Sequence, residues 1–293
     1  ATSSIGEKYG VITIAPEANA VNIYERGYKY IFSVLPPAPM IMVPIAYMMD
    51  TMLEPRPKTV AIIPANDLFP LSVADGFKEI CEELGFEVVL YEKYPAGATD
   101  LSALLTKVKA LNPDVLAGGG YTADDMMIVR QCKELDFSPK LFASSVGAMV
   151  TGFVEEMGKD ADYLVEGEWW VPEMKSEDHI FGTTADYIKA CKDLHGENFK
   201  PQYWTSSGSA VGVLLQMAIE KADSIETEKV RDALASLDVE LSCWSPVAFN
   251  EKGQNIKWVH PVVQVQNGKY IIVYPEESQG NKPLYPAPAW KDR

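Results

Sequence analysis

The sequence is poor in cysteine and histidine, and this shortage argues against metal sites and redox chemistry. Its 293 residues include 4 cysteines and 3 histidines. No two cysteines form a CxxC pair, which excludes a zinc ribbon and a thioredoxin-type site. The histidines lack metal-ligand spacing. The sequence therefore predicts no metal and no other cofactor, and it indicates core-filling roles for Cys81 and Cys132.

Positive charge and long apolar runs are also scarce. Lysine and arginine number 26 against 41 aspartates and glutamates, so the formal net charge is −15. Such a charge repels phosphate backbones and anionic lipid, which excludes nucleic acid as the expected partner. The apolar runs are too short to cross a bilayer. The hydrophobic fraction, 47%, is still sufficient for two lobes, each with its own core.

Strand and helix patterns alternate through residues 59–145. The β-branched run at 59–64 predicts a strand, and the apolar spacing that follows it predicts a helix. Four such repeats favour an α/β fold with a parallel sheet covered by helices on both faces. Ligands on such sheets bind at the carboxyl ends of strands. Those ends fall at residues 66–69, 118–122 and 144–147.

The second half has longer elements. Residues 163–171 read as one extended stretch, and residues 177–195 and 203–222 read as helices. This interpretation places His179 and His195 on the same helix. Asn267-Gly268 predicts a tight hairpin turn between two strands.

The sequence offers few candidates for catalysis. Residues 118–123 fit a permissive dinucleotide-binding pattern between a strand and a helix, but not in the first βα unit of a domain. A nucleotide-dependent α/β oxidoreductase is therefore one hypothesis, and glycines that admit close approach of a bound molecule are the other. The carboxylate pairs Asp124-Asp125 and Glu155-Glu156 are interpreted as helix starts or water-facing groups, with Thr122 and Asp125 resembling a capping box. No nucleophile elbow is present.

Aromatic and small polar residues at predicted strand ends suit binding without turnover. They are Phe69, Tyr121, Ser144, Ser145 and Trp169, with Asn19 after the first strand.

The matching stretches for a known family run through most of the chain. They are EKYGV at 7–11, IAP at 14–16, YKYIFS at 28–33, VAII at 60–63, YPAGATDLS at 94–102, NPDV at 112–115, GGY at 119–121, EG at 166–167 and FNEKG at 249–253. With this ordered series the sequence resembles the type I periplasmic binding proteins of the leucine/isoleucine/valine class, the substrate receptors of ABC importers.

The resemblance implies two doubly wound, Rossmann-like lobes joined by three crossing strands. The expected N-terminal lobe is 1–34 with 173–257, and the expected C-terminal lobe is 35–172 with 258–293. The crossings are expected near residues 34–35, 171–172 and 258–259. Against the family pattern, the first lobe is expected to be incomplete at its N-terminus, which would favour self-association.

The resemblance also implies a ligand site. Ala18 and Asn19 would contact ligand oxygens, Phe69 and Tyr121 would form walls, and Ser144 and Ser145 would add polar contacts, with Trp169 near a hinge. Ser145 stands where the family has the acid that pairs an α-ammonium. A carboxylate or amide ligand is therefore expected as well as an amino acid, and Glu17 is an alternative partner for an ammonium.

The expected function is that of an extracytoplasmic solute-binding protein. It would capture an amino acid, a related small organic acid or an amide by hinge closure and deliver it to the permease subunits of an ABC transporter. This function requires no catalysis, so the chain is not expected to be an enzyme. The oxidoreductase and a ligand-sensing receptor domain of the same fold are the alternatives.

Overall fold

The computed structural model describes residues 2–148, 150, 152–257, 261–275 and 281–293. Its helices are α1 Thr2–Tyr9, α2 Val21–Tyr24, α3 Val43–Thr51, α4 Leu68–Glu83, α5 Ser102–Leu111, α6 Thr122–Glu134, α7 Phe153–Met157, α8 Thr184–His195, α9 Tyr203–Ala222 and α10 Thr227–Ala235. Its strands are β1 Thr13–Ala15, β2 Ile31–Ser33, β3 Thr59–Pro64, β4 Glu87–Tyr91, β5 Val115–Gly119, β6 Leu141–Ser144, β7 Leu164–Gly167, β8 Glu177–Asp178, β9 Gly182–Thr183, β10 Asp238–Val239, β11 Val247–Ala248, β12 Val262–Gln266 and β13 Lys269–Tyr274.

These elements divide between two units. Unit 1 comprises Ala1–Ala38 and Trp169–Val259, and unit 2 comprises Pro39–Glu168 and His260–Arg293. The lobe limits expected from the sequence, 1–34 with 173–257 and 35–172 with 258–293, remain predictions. The third expected crossing, at residues 258–259, lies outside the described residues.

Unit 2 is built on one sheet with the strand order β13-β12-β7-β6-β5-β3-β4. Strands β4, β3, β5, β6 and β7 are parallel neighbours, and β12 pairs antiparallel with both β7 and β13. Ile62 is paired with Ala117, and Ala117 is paired with Ala143. The α/β fold with a mostly parallel sheet, predicted from residues 59–145, is confirmed.

The core of unit 2 follows from the alternation of side chains along these strands. Ile63, Leu116 and Phe142 point to one face, where they cluster with Leu105 of α5 and Ile128 of α6. Helices α3 and α4 pack on each other and on the sheet outside this cluster. The mostly apolar strands therefore have helices on both faces, as expected for a parallel sheet.

The predicted hairpin turn at the end of unit 2 is also confirmed. Asn267 and Gly268 join β12 to β13 with φ angles of 52° and 71°. Two consecutive residues with positive φ define the tight turn for which Asn-Gly is preferred.

Unit 1 contains smaller sheets among its described residues. Strand β1 pairs parallel with β2, β8 pairs antiparallel with β9, and β10 pairs antiparallel with β11. The long helix α9 packs against α10. No described helix of either unit is both long and apolar enough to span a membrane.

The helix predicted for residues 177–195 is wrong in its first half. Residues 177–183 form the β8–β9 hairpin, and α8 begins only at Thr184. Asp178 accepts backbone N–H bonds from Ile180 and Phe181, both at 2.8 Å, which fixes the turn. Thr183 then caps α8 by accepting from the N–H of Asp186 at 3.2 Å. His179 and His195 therefore do not share a helix.

The four cysteines are all free and buried. Cys81 and Cys132 lie in the interior of unit 2, as predicted from the apolar stripes of their helices.

Candidate functional site

The carboxyl ends of two adjacent strands in unit 2, β3 and β5, carry an aromatic pair. Phe69 lies in the first turn of α4, after β3, and Tyr121 precedes α6, after β5. Their rings stack with centroids 6.1 Å apart and planes 22° apart. The Tyr121 hydroxyl donates to Asp67 Oδ2 at 3.4 Å, and its side chain is 46% exposed. The pair thus presents an aromatic surface at the edge where parallel sheets bind ligands.

Ser144 and Ser145 lie at the same edge, at the end of β6, but both are fully buried. Ser145 Oγ donates to the Gly120 carbonyl at 3.2 Å. Ser144 Oγ is hydrogen-bonded to Asp125 and lies 3.3 Å from Glu166 Oε2. The structure therefore brings the four predicted residues of unit 2 to one edge, with both serine hydroxyls engaged in internal bonds.

The sequence analysis placed Asp125 correctly at a helix start, since it lies in the first turn of α6, but the capping box with Thr122 and the water-facing alternative are wrong. The side chain of Asp125 is fully buried. The bond at the start of α6 is instead made by Asp124, whose Oδ2 accepts from the Tyr121 N–H at 2.9 Å. Asp125 lies on the buried stripe of α6 with Ile128, Val129 and Cys132, so its helical spacing was the signal that could have revealed it.

Burial has an electrostatic consequence for Asp125. It raises the pKa of this carboxyl to about 7, against the opposing effect of the hydrogen bond from Ser144 and with a smaller contribution from the charge of Asp124. The Asp125 carboxyl also explains Gly147, because a Cβ atom there would lie 2.1 Å from Asp125 Oδ2. A side chain at position 147 would therefore force the Asp125 carboxyl to move.

The number of available protons determines the direction of the hydrogen bonds around Ser144. The Ser144 hydroxyl carries a single proton yet is close to two carboxyl groups, those of Asp125 and Glu166. A protonated Asp125 can donate to Ser144 Oγ, which then donates to Glu166. Glu166 Oε2 also accepts from the Ala148 N–H at 2.6 Å. This chain of bonds holds residues 144–148, the segment that carries Ser145.

The turn after β1 carries the predicted site residues of unit 1. The Ala18 carbonyl accepts from the Tyr24 hydroxyl at 2.6 Å. Asn19 Nδ2 donates to the Pro36 carbonyl at 2.8 Å, and the Asn19 carbonyl accepts from the Ala38 N–H at 3.1 Å. Asn19 is only 2% exposed. Asn19 therefore fastens this turn to Pro36 through its side chain and to Ala38 through its backbone.

Glu17 occupies the exposed part of the same turn. Ser207 Oγ, from a buried residue of α9, donates to Glu17 Oε1. The surrounding protein raises the pKa of the Glu17 carboxyl by desolvation, and the bond from Ser207 only partly offsets this.

Trp169 is the remaining predicted residue, and it lies in unit 1 with 2% of its surface exposed. Its neighbour Trp170 packs edge-on against Tyr187, with ring centroids 6.1 Å apart. In the described parts of the chain, no group of three or more His, Cys, Asp or Glu residues could hold a metal ion.

Comparison with known proteins assigns the chain to a family. The family model described as "Periplasmic binding protein" matches residues 1–269. Among curated proteins, the Leu/Ile/Val-binding protein homolog 7 of Brucella abortus is 23% identical over 288 residues, which cover 94% of this chain and 71% of that protein.

Solved structures show the same fold. The leucine-binding protein LivK of Thermotoga maritima matches with a TM-score of 0.80 and 20% identity, over 94% of this chain and 76% of that one. The branched-chain amino acid binding protein LivJ of Streptococcus pneumoniae, in complex with isoleucine, matches with a TM-score of 0.73 and 20% identity, over 92% and 73%. A solute-binding protein of R. palustris in complex with benzoate matches with a TM-score of 0.71 and 14% identity, over 92% and 72%.

The resemblance to type I periplasmic binding proteins of the Leu/Ile/Val class is thereby confirmed. The names of these relatives describe binding proteins, and a substrate-binding protein of an ABC transporter from Desulfitobacterium hafniense is among the matching structures. Substrate-binding proteins are not enzymes, so the comparisons support a binding protein and do not favour the oxidoreductase. They support a small-molecule ligand and a transporter as partners and give no support to self-association. The family is extracytoplasmic, and this chain belongs to it: it is a member of the periplasmic binding protein family.

Proposed function

We propose that the chain is the substrate-binding protein of an ABC importer. It captures an amino acid, a related small organic acid or an amide by hinge closure and delivers it to the permease subunits. The observation that carries this proposal is the family match across residues 1–269. The relatives of this fold include proteins in complex with leucine, isoleucine and benzoate, so the fold accommodates both aliphatic and aromatic ligands.

We propose ligand contacts in each unit separately. In unit 2, Phe69 and Tyr121 supply a stacked aromatic wall with an exposed tyrosine face. Rigid aromatic walls bury apolar ligand surface at low entropic cost. Ser144 and Ser145 contribute by holding the segment beside that wall, because their hydroxyls already bond inside the unit.

In unit 1, we propose that the ligand contacts the turn after β1 at Ala18 and Asn19. Trp169 is a further proposed contact. The Asn19 amide is used by the Pro36 carbonyl, so Asn19 acts mainly by fixing the turn.

Thermal-shift and calorimetric titration of the purified chain test this function. The probes are leucine, isoleucine, leucinamide and benzoate. A compound that binds only the folded chain stabilises it by about 2.7 kcal/mol at a concentration of 100 times its Kd. We expect at least one probe to raise Tm in a saturable manner.

The variant Tyr121→Ala should weaken that binding by about tenfold, because it removes half of the aromatic wall. Tyr9→Ala removes another exposed tyrosine, from α1 of unit 1, and serves as the control. Unchanged affinity in Tyr121→Ala would argue against the wall, and saturable micromolar binding of NAD(H) would favour the oxidoreductase instead.

A further inference from the structure

The turn after β1 presents a carboxyl group where the sequence analysis expected polar donors for ligand oxygens. Its side chains are Pro16, Glu17, Ala18 and Asn19. The Asn19 amide is buried and donates to the Pro36 carbonyl. Ala18 has no polar side chain, and its carbonyl accepts from Tyr24. Glu17 is therefore the side chain of this turn that offers a polar group to a ligand.

The Glu17 carboxyl is held in place but is not neutralised by a charged neighbour. Ser207 in α9 donates to it, which fixes the position of Oε1. Desolvation and this single hydrogen bond are the influences on its ionisation, with no contribution from a lysine, arginine or histidine among the described residues. A carboxylate in this situation gains more from an incoming cation than one already paired on the surface.

An exposed aromatic ring lies on the same helix. Trp204 precedes Ser207 by three residues on α9, a spacing that places the two on neighbouring positions of the helix surface. The Ser207 hydroxyl lies 3.2 Å from the Trp204 carbonyl, and the Trp204 side chain is 41% exposed. The helix that supplies the Ser207 bond to Glu17 thus also carries an exposed indole, and an indole face attracts cations.

We infer that Glu17 is a specificity-determining residue that pairs with a protonated nitrogen group of the ligand, an ammonium or amidinium. Unit 1 thus selects the cationic end of the ligand and rejects a carboxylate there, because two like charges in a partly desolvated site repel each other. This inference rests on the proposed function and narrows its ligand class to compounds with a basic nitrogen.

Two series of probes that differ only in the polar head test the inference. The isobutyl series is isoamylamine, leucinamide, leucine and isocaproate, and the aromatic series is benzylamine, benzamidine and benzoate. Binding to the full chain is measured by thermal shift and by calorimetric titration. Within a series, we expect the heads with a basic nitrogen and no carboxylate to bind at least about tenfold more tightly than the carboxylate-only head.

The variant Glu17→Gln removes the charge and keeps the size of the side chain. It should lose about tenfold in affinity for the amine and amidine heads while the carboxylate heads bind equally well or better. Glu25→Gln makes the same change of charge at another exposed glutamate of unit 1, and its head-group preference should match that of the wild type. Circular dichroism of both variants confirms that they fold.

Each other outcome has a defined meaning. If carboxylate-only heads bind and heads with only a basic nitrogen do not, the binding function stands and the inference about Glu17 is overturned. An equal loss for both kinds of head in Glu17→Gln also overturns it, since it shows a merely structural role. If no probe of either series binds, the inference and the proposed ligand class are both rejected.

Discussion

At the scale of single residues, burial of Asp125 changes the pH at which its carboxyl ionises. Its pKa rises from 3.8 to about 7 because the folded chain removes the carboxyl from water. Between these two pH values the folded protein holds a proton that the unfolded chain has released. The stabilising contribution of the neutral carboxyl is therefore complete below pH 3.8 and is lost as pH rises towards about 7.

The variant Asp125→Asn should remove this dependence, because an amide stays neutral at every pH and can still donate to Ser144. We expect the Tm of the variant, relative to the wild type, to rise as pH increases from about 4 to about 8. Thermal unfolding followed by circular dichroism across this range provides the measurement. Parallel pH profiles for the two proteins would contradict the protonated state assigned to Asp125.

Asp125→Ala is the companion variant for the bond to Ser144. It leaves the Ser144 hydroxyl without this partner in a buried position, which costs about 1–3 kcal/mol. Its destabilisation should appear at low pH as well as at neutral pH.

At the scale of elements, glycine is required in the β12–β13 turn but lowers helix propensity in α9. Gly268 adopts a φ of +71°, which a residue with a Cβ atom avoids. Gly212 lies inside α9, and a Cβ atom there would meet nothing within 4 Å.

Gly268→Ala should therefore destabilise the protein by about 1 kcal/mol, whereas Gly212→Ala should stabilise it by about 0.5–1 kcal/mol through higher helix propensity. Urea unfolding of the two variants gives the comparison. Shifts of the same sign would refute the backbone argument.

The elements predicted correctly are those whose pattern of apolar and turn residues matches the burial that they have in the fold. The parallel strands of unit 2 are mostly apolar on both faces because they are covered by helices, and their turns contain residues that stop helices. The β8–β9 hairpin was missed because each of its strands has two residues, too few to establish a period of two. Its signals were Asp178, which fixes the turn, and Gly182, whose φ of +87° is unsuited to a helix interior.

For the candidate site, the grouping of residues could be predicted from the sequence, but their hydrogen-bond partners could not. Strand ends converge at one edge of a parallel sheet by topology alone, so Phe69, Tyr121, Ser144 and Ser145 could be grouped from the sequence. The partners of their hydroxyls could not, because Asp125 and Glu166 reach Ser144 only through the three-dimensional packing of α6 and β7. The bond from the Asn19 amide to the Pro36 carbonyl likewise could not be predicted from a local sequence pattern.

For the molecule as a whole, the net charge of −15 implies mutual repulsion of its acidic side chains. Raising the ionic strength from about 10 mM to about 150 mM shortens the screening length from about 30 Å to about 8 Å. The folded state should gain about 1 kcal/mol, which corresponds to a rise in Tm of about 2–4 °C. Differential scanning calorimetry in NaCl tests this, with Na₂SO₄ kept out of the comparison because sulfate also strengthens burial. A Tm that is constant or falls would show that local ion pairs outweigh the overall repulsion.

The burial of all four thiols has a practical consequence for following ligand capture optically. Their surroundings raise the pKa of Cys81, Cys132 and Cys243 to about 12, so the native chain holds these sulfurs in the unreactive, protonated form. A new cysteine in place of Leu68, which is 62% exposed and adjacent to Phe69, would then be the preferred target of a maleimide fluorophore. One engineered residue would turn the chain into an emission-based sensor without deleting any of its own sulfurs.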